Sequence, residues 1–507
     1  MNKGRYRIWL ALILILGMIA TGCSAGSGGT KPADSKPESG NPGTDGEDKL
    51  PPYEVSILFY GTNQKDLKLV EDEISKITKE KINATVKLNR IEPAAWQQQR
   101  TLMLAGNEKV DLIFTGENEF ITQVTQRQLQ PLDELLTKYG QGVIDAFEPD
   151  VLAAAKINGQ TYGLPSIRDF GAYPTVMMRT DLLEKYNLDV SNIKTFEELG
   201  PIFKTIKENE PTLNLLGKSG SSIAYSIIVS TVDTLGDSLG VLSSLDELKV
   251  VNLYETPEYI QLLKTIREWY EAGYIPKDIA TTTQTGRDYI QANVGFATMN
   301  KGKPGAITQT SQRIGVPLTE VKFFEPKTDT MSITNAMFAI ASNSKNPERA
   351  MMVLNLMYSD EQIVNLLNWG VEGKHYEVRP DNTVGFPEGV DAASSGYNLR
   401  QGWMFGNQLL SHPWETDEPT LWEQMEEFNK NSKKSAALGF SYNPDPVKTE
   451  IAALSNVVKQ YAVGLESGTA NLDETLPKFI AALKSAGIDR VVAEKQKQLD
   501  EWAAANK

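Results

Sequence analysis

Residues 53–114 read YEVSILFYGTNQKDLKLVEDEISKITKEKINATVKLNRIEPAAWQQQRTLMLAGNEKVDLIF. Residues 55–60 (VSILFY) form a β-rich run stopped by Gly61-Thr62-Asn63. Leu67, Val70, Ile74 and Ile77 then recur at intervals of three and four, the apolar stripe of an amphipathic helix. Residues 84–91 return as a strand, 96–105 as a helix, and 110–114 (VDLIF) as a third strand. This β-α-β-α-β order predicts an α/β fold on a mainly parallel sheet with right-handed crossovers. Ligands of such sheets sit beyond the carboxyl ends of the strands. Tyr60 and Asn63 after the first strand, and Glu117 and Asn118 after the third, are therefore candidate ligand contacts. The same residue types suit plain strand-to-helix turns, and that reading stays open. Trp96, opening a helix after Glu92-Pro93, is a further candidate for a cleft wall, with simple core packing as its alternative.

Upstream, Lys3, Arg5 and Arg7 precede an apolar segment at residues 8–20, shorter than the roughly twenty residues of a membrane span. The run Ala20-Thr21-Gly22 leads into Cys23, the only cysteine of the 507 residues. This resembles a bacterial lipobox, with Ala20 where Leu is usual. The resemblance implies a signal peptide at 1–22, lipid attachment at Cys23, and an anchor on the extracellular face of the cell membrane. The alternative, a free buried thiol, has no core to enter between a leader and a polar tail. With a single cysteine, no intramolecular disulfide and no Cys-built metal site is expected. Residues 23–52 read as a tether: between 24 and 49, 13 of 26 residues are Gly, Ser or Pro. Such a chain cannot offset its entropy by burial and reaches about 28 Å as a flexible coil. Loss of the three leader cations takes the net charge from −14 to −17. That balance disfavours nucleic acid and suits a neutral solute.

Beyond residue 156 the chain carries short motifs in a familiar order. Residues 157–165 (INGQTYGLP) place Asn158-Gly159 as a tight turn between extended segments. Residues 178–183 (MRTDLL) are followed by Thr195-Phe196-Glu197-Glu198, with Thr195 expected to cap a helix carrying Glu198 at its third position. Residues 344–350 (SKNPERA) and 370–376 (GVEGKHY) come next. Together these resemble extracellular solute-binding proteins of carbohydrate-type ABC importers (family 1). Residues 421–502, through the stretches 428–440 and 446–450, resemble the C-terminal region of LipO-type lipoproteins of Gram-positive bacteria.

The resemblance implies a periplasmic-binding-protein-like, two-lobed, hinged fold of type II, with a helical C-terminal region. It also implies a carbohydrate ligand, two ABC permease subunits and their ATPase. The first lobe is expected at 53–165 with about 332–385, the second at 166–331 with about 386–507. Read without the family, Val447, Ile451, Leu454, Val458, Tyr461 and Leu465 recur at helical spacing. Two further helices are predicted, the first opened by Asp473 and Glu474 and ended at Gly487, the last running from Asp489.

Ligand chemistry is suggested most by residues 369–422, which hold four tryptophans: Trp369, Trp403, Trp414 and Trp422. Both histidines, His375 and His412, lie there too. Indole faces stack on sugar C–H groups while Asn, Asp, Glu and Arg reach hydroxyls, so Trp369, Glu372, His375, Trp403 and Trp414 are candidate ligand contacts. The bland alternative is aromatic packing of loops onto a core. Leu216-Gly217-Lys218-Ser219 mimics the end of a phosphate-binding loop but lacks the upstream glycine, which is Thr212 here. No His-Glu-x-x-His or Gly-x-Ser-x-Gly occurs. No catalytic residue, metal or cofactor is expected, and a monomer is. A glycoside hydrolase using a carboxylate pair stays open as an alternative, as does a sugar sensor or adhesin on the same body.

Overall fold

Among the described residues two large hydrophobic cores form, each around its own sheet, with a small third cluster of Met177, Ile290, Ala306, Ile314 and Leu318 beside the second. A computed structural model describes residues 50–506 apart from Asn107 and Ser221, and the side chains of Glu117 and Asn118 also lie outside the described residues. Cys23, the leader and the tether to residue 49 therefore lie outside them as well.

The first sheet carries the predicted unit. Strands Tyr53–Tyr60, Ala84–Ile91 and Leu112–Thr115 pair in parallel, with Tyr53–Tyr60 in the middle. The third strand begins two residues later than its apolar run suggested, because Asp111 accepts from the Tyr53 hydroxyl and the Ser56 amide instead. Helix Leu67–Ile82 buries Val70 and Ile74 against this sheet, as the spacing requires. Two late arrivals complete it antiparallel: Met337–Ile340 beside the third strand, and Leu164–Pro165 at the edge. The Asn158-Gly159 turn has both residues in the left-handed region (φ 52° and 79°), the demand of a two-residue hairpin, and joins Lys156–Ile157 to Gln160–Thr161.

The second sheet orders strands Leu318–Lys322, Tyr173–Arg179, Gly295–Gly302 and Asn214–Gly217. Helix Lys448–Glu466 presents Leu454 and Leu465 to the core of this sheet, and helices Leu472–Ala486 and Ile488–Ala505 add Phe479, Leu483, Val491 and Leu499. Gly487, at φ 97°, ends the middle helix where the glycine stop was expected. One cap differs from expectation. Glu198 does accept from the Lys194 and Thr195 amides, but the Thr195 side chain caps nothing, and the segment starts as a short 3₁₀ turn at Glu197–Leu199.

Residues 397–405 also depart from the expected division. Tyr397, Leu399, Met404 and Phe405 are buried in the first core, not the second, to which everything after about residue 386 was assigned. The Phe405 ring meets Phe59 at 5.1 Å and stacks on Phe338 at 5.7 Å, while the Met404 carbonyl accepts from Ser166 Oγ at 2.7 Å. Aromatic packing outweighs chain order there. The chain crosses between cores near residues 165–173, where Asn429 clamps the crossing. Its Oδ1 accepts from the Phe170 amide (2.8 Å) and its Nδ2 donates to the Arg168 carbonyl (2.6 Å).

Candidate functional site

A cavity of about 740 Å³ lies between the two cores. Its first-lobe wall starts with helix Glu361–Trp369, which places Asn368 and Trp369 at its end. Trp369 Nε1 donates to the His412 carbonyl at 3.1 Å, and the His412 amide donates to Asn365 Oδ1 at 3.0 Å. Those two bonds bring the 411–415 segment alongside, so that Trp414 meets Trp369 at 5.2 Å between ring centroids and Phe386 at 4.8 Å. The Arg400 guanidinium covers the Trp414 ring at 4.1 Å. Trp403 rides on the short turn Gly402–Met404, its half-buried ring fixed by the burial of Gly402 before it and of Met404 and Phe405 after it.

The opposite wall comes from the second lobe. Lys303 and Pro304 follow strand Gly295–Gly302, and helix Ala306–Ile314 supplies Gln309, Gln312 and Arg313. Gln309 and Gln312 reach across to Asp417 Oδ1 and the Thr416 carbonyl, each at 3.0 Å. Helix Leu421–Asn431 closes one side with Leu421, Trp422 and Met425. The indole N–H of Trp422 is buried without an acceptor among the described residues.

Charge in this cavity is arranged by burial and pairing. Arg168 and Lys303 each approach Asp169 at 3.2 Å. Burial pushes the Asp169 carboxyl upward, but Lys303, Arg168 and Lys301 outweigh it and hold the group below the usual carboxylate range. Asp417 has the opposite balance: burial raises it, and the bond from Gln309 only partly offsets that. Burial lowers Arg400 against the weaker opposing pull of Asp417 and Glu415. The lining thus holds Arg168, Lys303, Arg313 and Arg400 against Asp169 and Asp417. The acidity of the chain suited a neutral solute, yet the cavity lining carries more basic than acidic side chains, since net charge is a property of the whole surface.

Two further hollows adjoin it. One of about 320 Å³ is lined by Tyr60, Trp96, Phe114, Thr115, Gly116, Glu119 and Asn335. The other, about 790 Å³, lies on the second-lobe side, with Tyr225, Asn300, Lys301 and Asp329 in its wall and Asn335 again. Arg168 Nη2 donates to Asn335 Oδ1 at 3.1 Å, and the Trp403 ring lies 6.4 Å from Tyr60 and 6.0 Å from Phe114. Arg168, Asn335 and Trp403 are therefore where the three hollows meet. Gly116 permits this junction, because a Cβ there would stand 2.3 Å from the Asn335 carbonyl oxygen.

The structure brings together Trp369, Trp403 and Trp414 in one cavity, and Tyr60 and Trp96 in the next. Trp96 serves both of its readings, being buried in the first core while lining the hollow. Three expected contacts are elsewhere. Asn63 lines a separate hollow of about 260 Å³ with Gln64, Tyr397 and Asn398. Glu372 is exposed and borders none of these cavities. His375 is fully buried, its Nδ1 accepting from the Val371 amide at 2.8 Å and its Nε2 donating to Asp66 Oδ2 at 3.0 Å, so it has nothing left for a ligand. Sequence reasoning missed Arg168, Asp169, Lys303, Arg313, Asn335 and Arg400. Two signals existed: Arg400 stands in the Gly-punctuated loop that carries Trp403, and Arg168-Asp169 is a charged pair shortly after the hairpin motif.

A model of the bacterial extracellular solute-binding protein family matches residues 61–364, and a domain of unknown function, DUF3502, matches 436–504. A carbohydrate ABC transporter substrate-binding protein of Streptococcus pneumoniae is 28% identical over 466 residues, covering 88% of this chain and 90% of that one. Lipoprotein LipO of Bacillus subtilis is 22% identical over 328 residues, covering 58% of this chain and 62% of its own. Among solved structures, the N-glycan transport solute binding protein NgtS of Streptococcus pneumoniae superposes with a TM-score of 0.80 at 27% identity, covering 90% of this chain and all of that one. The same protein in complex with Man1GlcNAc gives a TM-score of 0.70 at 26% identity, covering 89% of this chain and 99% of that one.

Proposed function

Because the chain belongs to the bacterial extracellular solute-binding protein family, we propose that it is the lipid-anchored receptor that hands an oligosaccharide to an ABC importer. The observation that carries this reading is the meeting of three hollows around Trp403, with four tryptophans lining the central one. Each of the two larger hollows is within the size range of a pocket for a small organic ligand, and their junction suits a chain of sugars better than a single ring. Indole faces at Trp369 and Trp403 would take the apolar faces of sugar rings, with Trp414 backing Trp369 and holding Arg400. Asn335, Asn368, Gln309 and Gln312 would meet the hydroxyls at their edges. Closure of the two lobes exchanges bound water for these contacts.

Supporting relatives are the carbohydrate ABC transporter substrate-binding protein and the N-glycan transport protein, both matched over most of their length. The protein acts as a monomer without cofactor or metal, and its partners are two permease subunits and an ATPase. It contacts the membrane only through a lipid on Cys23 and does not bind nucleic acid. Among the described residues no helix is long and apolar enough to cross a membrane. Cys23→Ser should leave the body folded and release it from the cell surface or leave its leader uncleaved.

A thermal-shift screen of the body lacking residues 1–23 against mono- and oligosaccharides tests the reading. A bound sugar at roughly hundred-fold excess over its Kd adds about 2.7 kcal/mol. Chromatography after long incubation separates receptor from enzyme, since a receptor needs only ground-state complementarity and returns its ligand intact. Shortened products that vanish on neutralising one Asp or Glu would overturn this reading in favour of a glycoside hydrolase.

A further inference from the structure

Arg400 occupies a backbone conformation that a long side chain rarely takes, with φ at 50° in the left-handed region. Its side chain is held on three sides. Nε donates to Asn398 Oδ1 at 2.8 Å, and the guanidinium lies 4.1 Å from the Trp414 ring centroid and 5.5 Å from that of Phe386. The two Nη groups have no hydrogen-bond acceptor, and no carboxylate stands within ion-pair distance of them, among the described residues. Asp417 and Glu415 act on the guanidinium only at longer range. A strained backbone, a rigid stack and an open pair of donors on a cavity wall together describe a prepositioned fork.

The surroundings give that fork its selectivity. Asp169, the more deeply buried carboxylate in the lining, is taken by Arg168 and Lys303 at 3.2 Å each. Asp417 already accepts from Gln309. Arg313 has no ion-pair partner among the described residues. Formal charge in the cavity is thus positive by two, on a chain whose net charge is −14. A neutral sugar offers such a wall only hydroxyl oxygens, whereas a carboxylate accepts two parallel bonds from the end of a guanidinium fork.

We propose that the oligosaccharide taken by this cleft carries a carboxylate, as a uronic-acid residue does, and that Arg400 receives it end-on. This rests on the receptor reading above and narrows its ligand class. The net negative charge of the chain also disfavours non-specific anion capture outside the cleft.

Isothermal titration of the full body beyond Cys23 tests the proposal with matched pairs: oligogalacturonate, oligomannuronate and oligoguluronate, each against its methyl ester, plus a sulfated disaccharide as a separate arm. At least one uronate should bind at least tenfold more tightly than its ester, and the preference should shrink at high salt and fall severalfold in Arg400→Gln. Equal affinity for an acid and its ester overturns the proposal while leaving a sugar receptor standing. So does a preference that Arg400→Gln leaves untouched, or one confined to the sulfate ester. Binding of neutral oligosaccharides alone overturns it in the same way. Failure of every sugar, acidic or neutral, overturns the receptor reading and this inference with it.

Discussion

The aromatic stretch from Trp369 to Trp422 contains two regions of opposite character. At His375 the buried imidazole is fully committed: both ring nitrogens are bonded, and Asp66 is held below the usual carboxylate range by His375 and then Lys374. Around Arg400 and Trp403 the polar groups are left partly open and the rings half-buried against a cavity. Both regions look equally promising as sequence, being rich in Gly, His, Trp and charge. The difference is whether neighbours from elsewhere in the chain satisfy them. A buried group with all its bonds made stabilises the fold, and one positioned with bonds to spare is available to a ligand.

The largest effect expected from breaking this comparison is on stability. His375→Ala should cost about 3 kcal/mol, from the cavity it leaves and the unpaired Val371 amide. Denaturant melts measure the loss, and sugar affinity should stay within about twofold. A large drop in affinity with unchanged stability would place His375 in the ligand site after all.

Asp169→Asn should cost on the order of 2–3 kcal/mol at neutral pH, since Arg168 and Lys303 lose their shared partner. The loss has a pH signature. With its folded pKa below the unfolded value near 3.9, ionised Asp169 adds stability that is fully present above that value. It is lost as pH falls through the lower folded value. The gap between wild type and variant in melting experiments should therefore be steady above about pH 4 and close below it. A gap that widened in acid would contradict the pairing.

Trp403→Ala should weaken sugar binding by at least about 2 kcal/mol, roughly thirtyfold, as a central aromatic anchor does. Trp369→Ala should do less, because its indole N–H is already tied to the His412 carbonyl. Parallel melts and titrations separate binding from packing. Equal effects at both positions would blur the junction assigned to Trp403. The smallest change belongs to Glu372→Gln: at an exposed site outside the cavities, stability should move by no more than about 0.5 kcal/mol and affinity not at all.

The alternating strands and helices of residues 53–114, the Asn158-Gly159 hairpin and the three C-terminal helices were all legible in sequence. Each rests on period and turn chemistry, which act over a few residues and need no distant partner. The tryptophan cluster was legible as a set for a simpler reason, that large aromatics are seldom concentrated without a shared surface. Its division into structural and open parts was not. Where Phe405 and its neighbours would pack depended on Phe59 and Phe338, both far upstream, and no local pattern encodes that meeting. The basic lining of the cleft was equally hidden. Arg168, Lys303, Arg313 and Arg400 are separated by long stretches of chain, and only the fold puts them around one cavity while spending Asp169 on two of them. Sequence by itself determined which segments would be strands and helices, through short-range sterics and amphipathic spacing. Tertiary structure alone decided which polar groups found partners and which were left facing the cleft, because hydrogen bonding and desolvation depend on neighbours in space.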